Sequence, residues 1–128
     1  MSPKFALADH LVESELRQLA IQIYSRLGYR IANREGEAGY LYLINPAERI
    51  ELVACKQEPI LIKLHHVYSL ELEMKRMKAV RAFFWAPAGF TNDAIDWVVH
   101  RSIVLADQLE IGRLVDCAQA QGSRLLEC

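Results

Sequence analysis

The stretch YLYLINPAERIELVACK, residues 40–56, decides the fold. Two runs rich in Leu, Ile, Val and Tyr flank Asn-Pro-Ala-Glu, in which Pro46 pre-sets a turn and Asn45 can bond its own backbone. Residues 40–44 and 49–56 are therefore predicted to form a β-hairpin. The second run closes on Lys56. Alternation of faces along a strand puts Lys56 with Ala54 and Leu52, and Glu51 with Val53 and Cys55 on the other side, so Glu51 is a poor neighbour for the lysine.

Working outward, ESELRQLAIQIYSRLGY (residues 13–29) repeats Leu16, Leu19, Ile23 and Leu27 at helical spacing, with Ser14 as an N-cap candidate and Gly28 as the stop. A short β-rich run follows before EGEAG (35–39). Beyond Pro59, the residues Leu64, Val67, Leu70, Met74 and Met77 fit a helix. A strand at VRAFFWA (80–86), a helix at TNDAIDWVVH (91–100), a strand at SIVLAD (102–107) and a helix over about 108–120 complete the order. One helix, three strands and then alternating helices and strands imply an α/β, three-layer sandwich with a central mixed sheet flanked by helices. Residues 1–128 are expected to form a single domain, with the final QGSRLLEC fraying. Phe83, Phe84, Trp85 and Phe90 are expected in the core. Thr91 is placed as N-cap ahead of Asp93 and Asp96, and Trp97 and Val98 face either the sheet or a partner.

Composition bounds the function. With 52% hydrophobic and 24% charged residues the chain has enough apolar surface for a packed core, which excludes the disordered class. Fifteen basic against sixteen acidic residues leave a net charge of −1, so any nucleic-acid contact needs a local patch. Cys55, Cys117 and Cys128 form no CxxC pair and are odd in number, which argues against a disulfide framework or a zinc site and for a reduced, cytoplasmic setting. The first residues lack the pattern of a signal peptide, and AVRAFFWAPAGF is too short and broken to span a bilayer.

Five local patterns occur in order: LGYRI (27–31), GEAGYLYLI (36–44), VACKQ (53–57), AGFTNDAIDWV (88–98) and IVLADQLEIGRLV (103–115). From about residue 13 to 116 the chain resembles the Mrr-type branch of the restriction-endonuclease-like, or PD-(D/E)xK, nuclease superfamily. The resemblance implies that an acid on the second strand, an acid or Gln two residues before a third-strand lysine, and often a Glu on the first helix hold magnesium. Here the lysine is kept as Lys56, whereas the other positions fall on Leu41, Ala54 and Arg17. Apolar groups cannot ligate a hard cation. Glu37, at the first acid of the family's G-D-x-G, is the remaining catalytic candidate.

The resemblance thus implies a catalytically degenerate domain, a pseudo-nuclease acting as a DNA-associated or protein-interaction module, with no cofactor expected. One alternative is an active magnesium-dependent endonuclease with a relocated carboxylate. Another is a scaffold or regulatory protein without nucleic-acid affinity.

The densest basic run is KRMKAVR, with Lys75, Arg76, Lys78 and Arg81, and Lys63 could extend it toward double-stranded DNA. Glu71 is placed to pair with Lys75 one turn on, which favours a solvated helix end. His65 and His66 are adjacent on a helix, about 100° apart, which disfavours joint chelation. A homodimer or a larger protein partner follows by analogy with nucleases of this fold.

Overall fold

The computed structural model describes residues 12–33 and 40–120. Its elements are α1 (Glu13–Arg26), β1 (Arg30–Asn33), β2 (Tyr40–Ile44), β3 (Ile50–Cys55), α2 (Leu64–Met77), β4 (Arg81–Trp85), α3 (Asn92–Trp97), β5 (Ile103–Ala106) and α4 (Gln108–Ala120). They follow the predicted order. The strands form one sheet in the order β1-β2-β3-β4-β5, antiparallel through β3 and parallel from β3 to β5. No helix among the described residues is long and apolar enough to cross a membrane.

The sheet has a core on each face. On one side Leu41, Leu43, Val53, Cys55, Phe83 and Trp85 pack against α1 and α4 through Leu16, Ala20, Tyr24, Ile111 and Val115. On the other, Tyr42, Leu52, Ala54, Ala82 and Phe84 meet α2 and α3 through Val67, Leu70, Met74 and Ala94. Both faces being covered, the central strands are apolar almost throughout. The aromatic run is core, as expected: Phe83, Phe84, Trp85 and Phe90 are all buried. Trp97 and Val98 are half-buried against the α2 and α3 side.

Helix boundaries follow local chemistry. Helix α1 begins one residue before the predicted cap: Val12 is the N-cap, its N–H donates to Glu15 Oε1 at 3.1 Å, and Ser14 lies inside the helix. The helix ends at Gly28, whose φ of 100° suits glycine, with Tyr29 N–H reaching back to Tyr24 O at 2.9 Å and the two rings in edge contact. Helix α2 starts at Leu64, where the apolar pattern begins. Ile62 is held extended by bonds to Gly89 and from Thr91. Thr91 precedes α3 as expected, but its hydroxyl bonds Asp93 rather than the helix backbone.

The hairpin turn is pinned by Asn45, whose Oδ1 accepts from Ala47 and Arg49 N–H, while Glu48 takes the left-handed conformation at φ 64°. Just beyond it sits a buried charge, Glu51, 1% exposed. It accepts from Tyr29 OH at 3.0 Å, Asn45 Nδ2 at 2.7 Å and Arg81 Nε at 3.2 Å. This cluster lies at the opposite end of β3 from Lys56, about 17 Å away at the usual rise per residue.

Candidate functional site

Strand β3 delivers Lys56 to the C-terminal edge of the sheet, where Lys56 N–H donates to Trp85 O at 2.9 Å and continues the parallel ladder by one bond. The side chain is half-exposed, and its Nζ lies 3.6 Å from Glu58. Beside it opens a cleft of about 260 Å³, lined by Glu13 and Arg17 from α1, Tyr40 and Ala54 from the hairpin, and His66 and Ser69 from α2. Lys56, Ala54 and Arg17, singled out from sequence, therefore come together. Glu13 was missed, and His66 was weighed only as half of a chelating pair. Glu13 was detectable as the residue one helical turn before Arg17, and His66 as the third residue of the helix that follows the lysine loop.

The register separates two positions that the sequence pattern placed side by side. Leu41 pairs with Val53 and is buried in the α1 and α4 core, on the face opposite Ala54. Tyr40 is the residue paired with Ala54. Glu37 lies outside the described residues.

The cleft is richer in donors than in acceptors. Glu13 Oε1 is engaged by Gln57 N–H at 3.2 Å. His66 Nδ1 accepts Lys63 N–H at 3.3 Å, and its ring stacks on His65 with centroids 4.0 Å apart. The stack explains how adjacent histidines come together without sharing a ligand. The His66 titration is pulled below the ordinary value by burial first, then by His65 and Lys56. Tyr40 is raised by burial and then by Glu73, so its phenol stays protonated. Cys55, inside the sheet next to the lysine, is pushed up to about 12 by burial and is an unreactive thiol.

A magnesium ion needs several oxygen ligands in near-octahedral array. Among the described residues no three His, Cys, Asp or Glu side chains gather to supply them. The described residues offer the ion no such set. Glu73, the other carboxylate facing the hairpin, is held by Tyr42 OH at 2.8 Å and by Arg76 at 2.6 Å, and is lowered chiefly by Arg76.

The basic residues fall at two ends of α2. Lys63 precedes its first turn, near the cleft, whereas Lys75, Arg76 and Lys78 follow roughly 20 Å away at 1.5 Å per residue. There Lys75, Lys78 and Arg101 border a separate groove. Glu71 pairs with Arg101 at 3.2 Å, a partner from the connection between α3 and β5 that the expected Lys75 contact overlooked. Arg76 is committed to Glu73 and Arg81 to Glu51. Lys63 therefore does not extend the C-terminal cluster into one track.

A sequence family model described as restriction endonuclease, that of the Mrr catalytic domain, matches residues 8–115. The chain belongs to this family. The sheet and helices of the Mrr-type domain also resemble solved structures. One is EndoMS in its apo form, at TM-score 0.60 and 15% identity over 76% of this chain and 46% of that one. Another is the DNA modification-dependent restriction endonuclease AspBHI, at 0.62 and 11% over 94% and 37%. A third is the MspJI restriction endonuclease in complex with a 27-mer oligonucleotide, at 0.62 and 12% over 93% and 30%. At these identities the likeness is one of fold. The Mrr-type domain spans less than half the length of each of these chains. No curated protein matches it.

Proposed function

We propose that this Mrr-type domain is a catalytically degenerate member that engages double-stranded DNA without cleaving it. One observation carries the reading: at the cleft, Ala54 stands two residues before Lys56 and is paired with Tyr40, so neither hairpin position offers an ionised oxygen to a metal. Metal-assisted hydrolysis needs the ion both to activate water and to neutralise developing charge. Leu41, buried in the opposite core, supplies neither. The DNA part of the reading is supported by the family and by its fold neighbours, one of which was solved with an oligonucleotide. The exposed cations Lys63, Lys75 and Lys78 suit phosphate contacts, each adding salt dependence rather than sequence preference.

The test is incubation of purified protein with supercoiled plasmid and Mg²⁺ or Mn²⁺, beside binding of a labelled duplex. We expect no nicking, and a salt-sensitive shift weakened by the pair Lys75→Ala and Lys78→Ala. Cleavage that disappears in Lys56→Ala would establish instead an active endonuclease using Lys56 with Glu37, Glu13 or another carboxylate. Absence of binding at low salt would leave the scaffold reading.

A protein-interaction role, including a homodimer, is favoured by a separate observation. Tyr68 and Leu72 on α2 and Ile95 on α3, with Val99 just after it, are exposed apolar side chains, and Tyr68 touches Trp97 with ring centroids 5.9 Å apart. Sedimentation of the wild type against Leu72→Glu measures it: a dimer converted to monomer is the expected result, and a wild-type monomer at high concentration refutes it.

A further inference from the structure

Two helices begin at the cleft. Glu13 and Arg17 belong to the first two turns of α1, and His66 is the third residue of α2. Both helices therefore bring side chains of their first two turns, near the positive ends of their dipoles, to the same space. Lys56 enters from the strand between them. His66 adds a directed donor. Because its Nδ1 accepts the Lys63 amide, the proton of the neutral ring sits on Nε2. His66 and Lys56 line the same cleft. Among the residues lining the cleft the carboxylate is Glu13, and its Oε1 already receives a backbone proton. Compared with a metal cage, the polarity is inverted: donors and cations stand where oxygen ligands would be needed.

We propose that this cleft binds a phosphate group of nucleic acid directly, through Lys56, Arg17 and His66, with no metal ion between them. The inference rests on the DNA reading above and deepens it by naming the site. A phosphodiester offers only acceptors, which matches a donor-rich pocket. The volume of about 260 Å³ equals that of roughly nine waters, ample for a phosphate and part of its sugar. Glu58 lies 3.6 Å from Lys56 Nζ in a half-exposed, loosely formed ion pair, which an incoming phosphate displaces at little cost.

The experiment is fluorescence anisotropy of a labelled 20-base-pair duplex in EDTA, with salt titrations, for the wild type and for Lys56→Gln, Arg17→Gln and His66→Gln. Thermal unfolding of each variant confirms folding. Lys56→Gln, at a half-exposed site, keeps the test valid if Arg17→Gln is unstable. The expected result is unchanged wild-type affinity with and without EDTA, and roughly 5- to 20-fold weaker binding in each variant. The salt slope falls by about one for Lys56→Gln, as for loss of one phosphate contact, and stays unchanged for His66→Gln. Binding that requires Mg²⁺ overturns the proposal. Binding in EDTA that none of the three substitutions weakens overturns it too, while leaving the DNA reading intact. If the duplex does not bind at all, the DNA reading fails, and an NMR titration with inorganic pyrophosphate decides the cleft. Shifts at the Lys56 and His66 amides then sustain a phosphate site, and unmoved amides refute it.

Discussion

Replacing Glu51 by Ala removes one carboxylate that three donors share. Tyr29 OH, Asn45 Nδ2 and Arg81 all point at it, and Glu51 itself is 1% exposed. Breaking a buried ion pair from one side costs about 3–5 kcal/mol when the other partner stays buried. Here the Arg81 side chain is 48% exposed and Tyr29 half-buried, so both recover some hydration, which lowers the range. The Asn45 amide, which also shapes the hairpin turn, loses its acceptor. The expected loss is about 2–4 kcal/mol, a large share of the roughly 5–15 kcal/mol typical of a small domain. Urea unfolding followed by tryptophan fluorescence reads it as a lower midpoint at constant slope. Glu51→Gln keeps one acceptor oxygen and should lose about half as much. Because the cluster lies at the opposite end of β3 from Lys56, duplex binding by the folded variant should be unchanged. A loss below about 1 kcal/mol for Glu51→Ala would refute the view that this carboxylate organises the end of the sheet.

Three further outcomes are expected. Tyr24→Phe takes the acceptor from Trp85 Nε1, now bonded at 3.0 Å between two fully buried rings, and should cost about 1–3 kcal/mol by thermal or urea unfolding. Lys78→Gly relieves a left-handed residue at φ 58° after α2 and should stabilise by about 0.5–1 kcal/mol, seen as a higher midpoint. Cys55, raised to about 12 in the fold, should resist alkylation at pH 8 in peptide mapping. An unfolded thiol releases its proton near pH 9, so the associated stability is full below that pH and is lost as pH rises toward 12; Tyr29, also raised to about 12, acts in the same direction above pH 10.

Much of the fold was legible because its signals are local. Pro46 and Asn45 announce the turn, Gly28 the end of α1, and the apolar spacing of Leu64 to Met77 the helix α2. The site was harder to read, for a physical reason. Face assignment along β2 depends on the hairpin connection, and a three-residue loop with Glu48 in the left-handed conformation pairs Tyr40, not Leu41, with Ala54. One residue of loop length therefore moves a side chain from the cleft into the far core. Glu13 and His66 were harder to place for a different reason: their approach to Lys56 is made by two helices packing on opposite faces, which no periodicity within either helix reports. Likewise Glu71 turned to Arg101, 30 residues away, when the local rule offered Lys75.

The outermost parallel strand, β5, is only four residues long and passes at once into α4. A second chain seeking to extend the sheet there would find few backbone groups to ladder onto, and the gain in hydrogen bonds would stop after about one repeat. Brevity at that border works against runaway β-association of a chain whose inner strands are almost wholly apolar. It directs any productive self-association toward the helical surfaces.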